Sequence, residues 1–114
     1  MLVDDEIDII SLFKEVLTMN GVNVRAFTDA GEALKDFKQN HANYIMVISD
    51  VRMSPISGIE FIKKLREIDS SIKVILMTAF EIEGNQLREI QTDEFFSKPI
   101  KMNDLVQVVK KYVR

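Results

Sequence analysis

The chain contains no cysteine and no tryptophan, only two prolines and four glycines, and no apolar run longer than Tyr44–Ile48. Without cysteine there is no disulfide, no thiolate metal site and no cysteine nucleophile. An apolar run of that length falls far short of the ~20 residues that a membrane-spanning helix needs. The N-terminus passes from Met1, Leu2 and Val3 straight into Asp4, Asp5 and Glu6, without the basic and long apolar stretches of a secretory leader. A cytoplasmic location is therefore expected. No cluster of four or more Lys and Arg occurs, and 15 basic against 18 acidic residues leave a net charge of −3, which argues against direct binding to nucleic acid. The four glycines form no phosphate-cradling loop of the kind that flavin or nucleotide sites use.

Apolar residues are plentiful. At 114 residues and 46% hydrophobic, the chain can build a single core without staples, so one domain over 1–114 is expected. Their spacing alternates between short strands and amphipathic helices. Ile10, Phe13 and Leu17 mark a first helix; Ala30, Ala33, Leu34 and Phe37 a second; Phe61, Ile62, Leu65 and Ile68 a third. Met102, Leu105, Val106, Val109, Tyr112 and Val113 form a wide stripe on the last helix. A further helix at about Ile82 to Ile90 is interrupted by Gly84 and Asn85 and is expected to be short. Between the helices, Val22–Phe27 alternates, whereas Tyr44–Ser49 and Ile72–Met77 are nearly continuous in β-branched and long apolar residues, as central parallel strands are. Asp29 with Glu32 three residues later is a helix-start signal. The order is β-α repeated five times, an α/β fold with a parallel sheet, right-handed crossovers and helices on both faces.

In such a sheet, ligands bind beyond the carboxyl ends of the strands. The residues that follow the strands are Asp4 and Asp5, then Asp50, Thr78, and finally Lys98 with Pro99. Three carboxylates on one edge repel one another unless a cation neutralises them, and an oxygen-only donor set suits Mg²⁺. A lysine and a threonine beside that cluster supply what is needed to hold a phosphoryl group on a carboxylate oxygen. Taken singly, each residue has a plain structural use. An acidic pair before a helix caps it, Asp50 suits a turn, Thr78 can end a strand, and Lys98 can be a surface lysine before a turn-forming proline. Phe95 and Phe96 suit a core, His41 a solvated loop, and the methionines are expected as core filler.

Together these residues resemble the receiver domain of two-component response regulators over essentially the whole chain. The matching elements run in order: Asp4-Asp5; Asp50 with Val51, Arg52, Met53 and Gly58; Thr78-Ala79; Phe95; and Lys98-Pro99. Asp5, Asp50, Thr78 and Lys98 lie 45, 28 and 20 residues apart in turn. The resemblance implies a flavodoxin-like (βα)5 three-layer sandwich with five parallel strands in the order 2-1-3-4-5. It implies that Asp50 is the phospho-acceptor and that Asp4, Asp5, Asp50 and the backbone carbonyl of Arg52 bind Mg²⁺. Thr78 and Lys98 would engage the phosphoryl oxygens. Phe95 would be the switch aromatic, coupled to a face built from the fourth helix, fifth strand and fifth helix in chain order. The implied partners are a sensor histidine kinase or phosphotransfer protein and a downstream protein target, with a homodimer through that same face as an option.

The chain reads as a stand-alone receiver that catalyses its own phosphorylation and dephosphorylation and acts mainly as a signalling switch. One alternative is a degenerate receiver working as a constitutive binding module. Another, an aspartyl phosphohydrolase, needs a second Asp two residues beyond the first, where Arg52 stands. Three departures from the family pattern are visible. Only Met1–Val3 precede the acidic pair, Ser54 replaces the usual proline with Pro55 next to it, and the stretch from Thr78 to Lys98 is slightly short. Phe80, two beyond the threonine, is bulky enough to shield an acyl phosphate from water, so slow self-dephosphorylation is expected. An unchanged decay rate in Phe80→Ala would contradict it.

Overall fold

The computed structural model describes residues 1–53, 56–78 and 92–112. The helix expected at about Ile82 to Ile90, with Ser54, Pro55, Ala79 and Phe80, lies outside them. The described elements are β1 (Leu2–Val3), α1 (Ile7–Met19), β2 (Ala26–Phe27), α2 (Ala30–Asn40), a 3₁₀ turn (His41–Asn43), β3 (Met46–Asp50), α3 (Gly58–Ile68), β4 (Lys73–Thr78), β5 (Glu94–Ser97) and a C-terminal helix (Met102–Tyr112). All five strands are parallel in the order β2-β1-β3-β4-β5, the order that the resemblance implies.

The continuous apolar strands are explained by burial on both faces. Val3, Val47, Val74 and Leu76 point to one side, where Phe37 of α2 and Phe61, Ile62 and Leu65 of α3 pack on them. Leu2, Ile48, Ile75 and Met77 point to the other, against Ile10, Phe13 and Leu17 of α1 and Leu105 and Val109 of the C-terminal helix. Period-2 side-chain alternation divides β1, β3 and β4 between two cores, and the helices contribute the stripes that their sequences display.

Helix starts follow local chemistry. The Asp29 side chain accepts a hydrogen bond from the Glu32 N–H at 3.0 Å, and Ser57 does the same for Glu60 at 3.2 Å. Each satisfies an N–H that the helix cannot pair internally. Asp29→Ala should therefore destabilise the domain by about 1 kcal/mol, checked by urea unfolding, while Asp29→Asn or Asp29→Ser should retain most of that. Helix α1 ends at Met19 with Asn20 as its C-cap, and Gly21 just beyond has a φ of +82°, a conformation that glycine adopts without strain.

Some local expectations shift. The strand expected at Val22–Phe27 is only Ala26–Phe27, because its sole neighbour β1 offers a two-residue ladder, Leu2 beside Ala26 and Val3 beside Phe27. Val22 and Val24 instead pack against the edge of the α1-side core. Strand β3 begins at Met46: Tyr44 is drawn into the preceding turn, with its N–H on the His41 carbonyl and its hydroxyl donating to Asp36. Met46 and Met77 are core, but Met19 at the end of α1 is exposed. His41 is more than a solvated loop residue, since its Nδ1 lies 3.8 Å from the Asp69 carboxylate and its ring 6.0 Å from that of Phe37.

Candidate functional site

The carboxyl ends of β1, β3, β4 and β5 meet at one edge of the sheet, and each delivers a polar residue there. Asp4 directly follows β1 and is fully buried; its N–H bonds to the Phe27 carbonyl at 3.2 Å, and its Oδ1 accepts the N–H of Glu6 at 2.9 Å. The acidic pair thus shapes the start of α1 and faces the site at once. Asp50 is the last residue of β3 and is 5% exposed. Its Oδ1 lies 3.4 Å from the Arg52 N–H. Thr78 ends β4, one residue beyond Met77, the partner of Asp50 in the ladder, and is buried. The Thr78 carbonyl accepts the Lys98 N–H at 2.7 Å, which ties the end of β4 to the residue that follows β5; the Lys98–Pro99 peptide is cis.

Lys98 reaches into the centre of this edge. Its Nζ donates to Asp4 Oδ2 at 3.0 Å and to Asp50 Oδ2 at 3.1 Å, and its side chain is 11% exposed. It is not an ordinary surface lysine. Carboxylate oxygens of Asp4, Asp5 and Asp50 all lie within 4.8 Å of one another. Asp5 is the exposed member, open to solvent while the other two are buried. One ammonium therefore pairs with two of three clustered carboxylates, and the donor set is all oxygen. Both facts fit a hard divalent cation such as Mg²⁺, which takes carboxylates and keeps several waters.

The electrostatics follow. Burial pushes the Asp50 carboxyl above its ordinary value of 3.8; the hydrogen bond from Lys98 pulls the other way, and the charge on Asp4 adds to the rise. For Lys98, burial works to lower the value, but hydrogen bonds and attraction from Asp4 and Asp50 outweigh it, leaving it above 10.5. Because the folded value is the higher, the stabilisation that Lys98 confers is complete below the unfolded value and is lost as pH rises through the folded one. Thermal melts across about pH 9 to 12 should show this alkaline loss in the wild type and a flatter limb in Lys98→Met.

Of the residues singled out in the sequence, Asp4, Asp5, Asp50 and Lys98 share this cluster, and Thr78 stands beside it on β4. The Arg52 carbonyl belongs to the same loop, two residues beyond Asp50. Phe95 lies away from the carboxylates on β5, paired with Leu76 and 36% exposed, whereas Phe96 turns into the α1-side core. Two contributors were not singled out for what they do here. Glu6 places Oε1 3.4 Å from Lys98 Nζ, and the available signal was a third acidic residue in the run Asp4-Asp5-Glu6. Gly58 packs on the backbone of Asp50: a Cβ built there would lie 2.0 Å from the Asp50 carbonyl oxygen and 2.7 Å from Val51 Cα.

Comparison with known proteins agrees with this architecture. The family model "Response regulator receiver domain" matches residues 1–110. The chain is 30% identical to sporulation initiation phosphotransferase F of Bacillus subtilis, over 99% of this chain and 91% of that protein. It is 29% identical, over its full length, to the transcriptional regulatory protein CpxR homolog of Haemophilus influenzae, of which it spans about half (49%). Among solved structures, that of the response regulator protein TrrA from Thermotoga maritima, in complex with Mg(2+)-BeF, is similar with a TM-score of 0.85 at 35% identity, covering 97% of this chain and 95% of that one. Fold, strand order and sequence match together establish that this chain belongs to the response regulator receiver domain family of two-component signalling.

Proposed function

We propose that the chain is a phosphorylation-dependent switch in which Asp50 accepts a phosphoryl group from a phosphohistidine of a sensor histidine kinase or phosphotransfer protein. The observation that carries this is the buried Asp50 carboxylate, which shares one lysine with a second buried carboxylate at the strand edge. In the transfer, an Asp50 oxygen forms a bond to phosphorus as the bond from phosphorus to the donor imidazole nitrogen breaks, and the electron pair leaves with the imidazole. Negative charge spreads over the phosphoryl oxygens, and groups aimed at those oxygens set the rate. Lys98 supplies an ammonium already beside Asp50, and Thr78 supplies a hydroxyl from the end of β4. Asp4, Asp5, Asp50 and the Arg52 carbonyl would hold Mg²⁺, which neutralises phosphoryl charge when bound. The Mg(2+)-BeF complex of the similar Thermotoga protein supports this assignment. Reversal is hydrolysis of the acyl phosphate by water, which restores the carboxylate.

The new charge at Asp50 alters the pull on Thr78, the ladder partner of Ser97, and on Lys98, the next residue, and so acts on the end of the strand that carries Phe95. A change in Phe95 would reshape the surface of β5 and the C-terminal helix, where a downstream partner or a second copy docks. Calorimetric titration with Mg²⁺ tests the metal arm. Wild type should bind, Asp5→Asn should bind at least about tenfold more weakly, as loss of a charged ligand usually produces, and chelation should abolish phosphorylation by acetyl phosphate. Equal affinity in the variant would remove Asp5 from the metal's ligands.

A further inference from the structure

Lys98 has one more carboxylate around it than the central cluster supplies. A lysine ammonium carries three donors and no acceptor. Two of those donors meet Asp4 and Asp50, and the third faces Glu6 Oε1 at 3.4 Å. Glu6 stands at the head of α1, where its N–H is held by Asp4 Oδ1 at 2.9 Å and its carbonyl accepts the Ile10 N–H at 3.1 Å. Its backbone is therefore fixed while its side chain, 60% exposed, reaches over Lys98 from the solvent side.

The three acceptors are not equivalent. Asp4 and Asp50 belong both to the partners of Lys98 and to the carboxylate group that fits a cation, whereas Glu6 belongs only to the first. A divalent cation held by Asp4, Asp5 and Asp50 draws on two carboxylates that Lys98 also uses, and it repels the ammonium. We propose that Glu6 is a positioning residue: it is the unshared counter-charge that keeps the Lys98 ammonium at the mouth of the site, beside Asp50, when the other two acceptors are engaged elsewhere. A long, flexible lysine stem without such an anchor would disperse into solvent and would have to be recaptured at each phosphoryl transfer. This inference rests on the phospho-acceptor role of Asp50 proposed above.

The test compares Glu6→Ala, Glu6→Gln and, as a control for charge alone, Asp8→Asn on the exposed first turn of α1. Side-chain NMR relaxation at the Lys98 ε-methylene, with and without saturating Mg²⁺, reads position independently of turnover. The methylene should stay ordered with Mg²⁺ in wild type and Asp8→Asn and become mobile with Mg²⁺ in Glu6→Ala. The rate of phosphorylation by acetyl phosphate at saturating Mg²⁺ should fall about three- to fivefold in Glu6→Ala, the size expected for an exposed ion pair, and be partly restored in Glu6→Gln, which keeps an oxygen acceptor. Unchanged Lys98 order in Glu6→Ala, or a rate loss equal to that of Asp8→Asn, overturns the role of Glu6. Failure of the wild type to take up phosphoryl instead overturns the role of Asp50, while the relaxation comparison still decides that of Glu6.

Discussion

Asp50→Asn should abolish phosphorylation and, at neutral pH without metal, make the domain more stable than the wild type by about 1 kcal/mol, a usual size for relieving a conflict built into a functional site. The sign follows from burial. Because the Asp50 carboxyl lies above 3.8 in the folded protein, the native state holds the proton more tightly than the unfolded chain does. Charging Asp50 therefore costs native stability at any pH above the folded value. Asparagine removes that cost and one of the three mutually repelling carboxylates, and leaves Lys98 with Asp4 and Glu6. The advantage should shrink as pH falls through the raised folded value and be gone well below 3.8, where the wild-type carboxyl is protonated in both states. Saturating Mg²⁺ should reverse the order at neutral pH, because it binds the intact cluster and stabilises the wild type by mass action. Urea denaturation at neutral and acid pH, with and without Mg²⁺, checks each arm. A metal-free Asp50→Asn that is less stable than wild type at neutral pH would contradict the account.

Gly58→Ala should be the costlier change to the fold. The added methyl would lie 2.0 Å from the Asp50 carbonyl oxygen and 2.9 Å from its carbonyl carbon, and neither is a side chain that can rotate away. The Gly58 N–H also bonds to the Val51 carbonyl at 2.7 Å, so α3 cannot back off without losing the link that closes the loop after Asp50. Overpacking against fixed backbone of this kind costs about 3 kcal/mol. The displaced atoms belong to Asp50, the proposed phospho-acceptor, so the variant should also be phosphorylated more slowly than its loss of stability explains. Thermal unfolding and acetyl phosphate uptake, measured below the melting transition, separate the two effects. Wild-type stability in Gly58→Ala would mean that the loop is looser than the backbone contacts imply.

Much of this was legible in the sequence because it depends on periodicity and chain order. The stripes Ile10-Phe13-Leu17 and Phe61-Ile62-Leu65 pack as their spacing requires, and the apolar runs around Val47 and Ile75 form the doubly covered centre of the sheet. The convergence of Asp4, Asp5, Asp50 and Lys98 follows from strand order, since each stands at or just past the carboxyl end of its strand. What escaped depends on distances that no spacing encodes. That β2 pairs over only two residues is set by its neighbour β1, not by its own alternating sequence. That Phe96 faces the core and Phe95 the solvent is a matter of register on an edge strand, where two adjacent aromatics look alike. The approach of Gly58 to Asp50 and the reach of Glu6 to Lys98 are tertiary contacts; a glycine at a helix start and a third acid after an acidic pair have ordinary local explanations.

The central claim is that Asp50 is the one residue that takes a phosphoryl group. Intact mass spectrometry of the wild type after incubation with Mg²⁺ and acetyl phosphate, or with a phosphorylated histidine donor, followed by peptide mapping, tests it most directly. The account predicts a single added phosphoryl group, carried by the peptide containing Asp50, lost when Mg²⁺ is chelated and absent in Asp50→Asn. A phosphoryl group on another residue, or none with either donor, would contradict it.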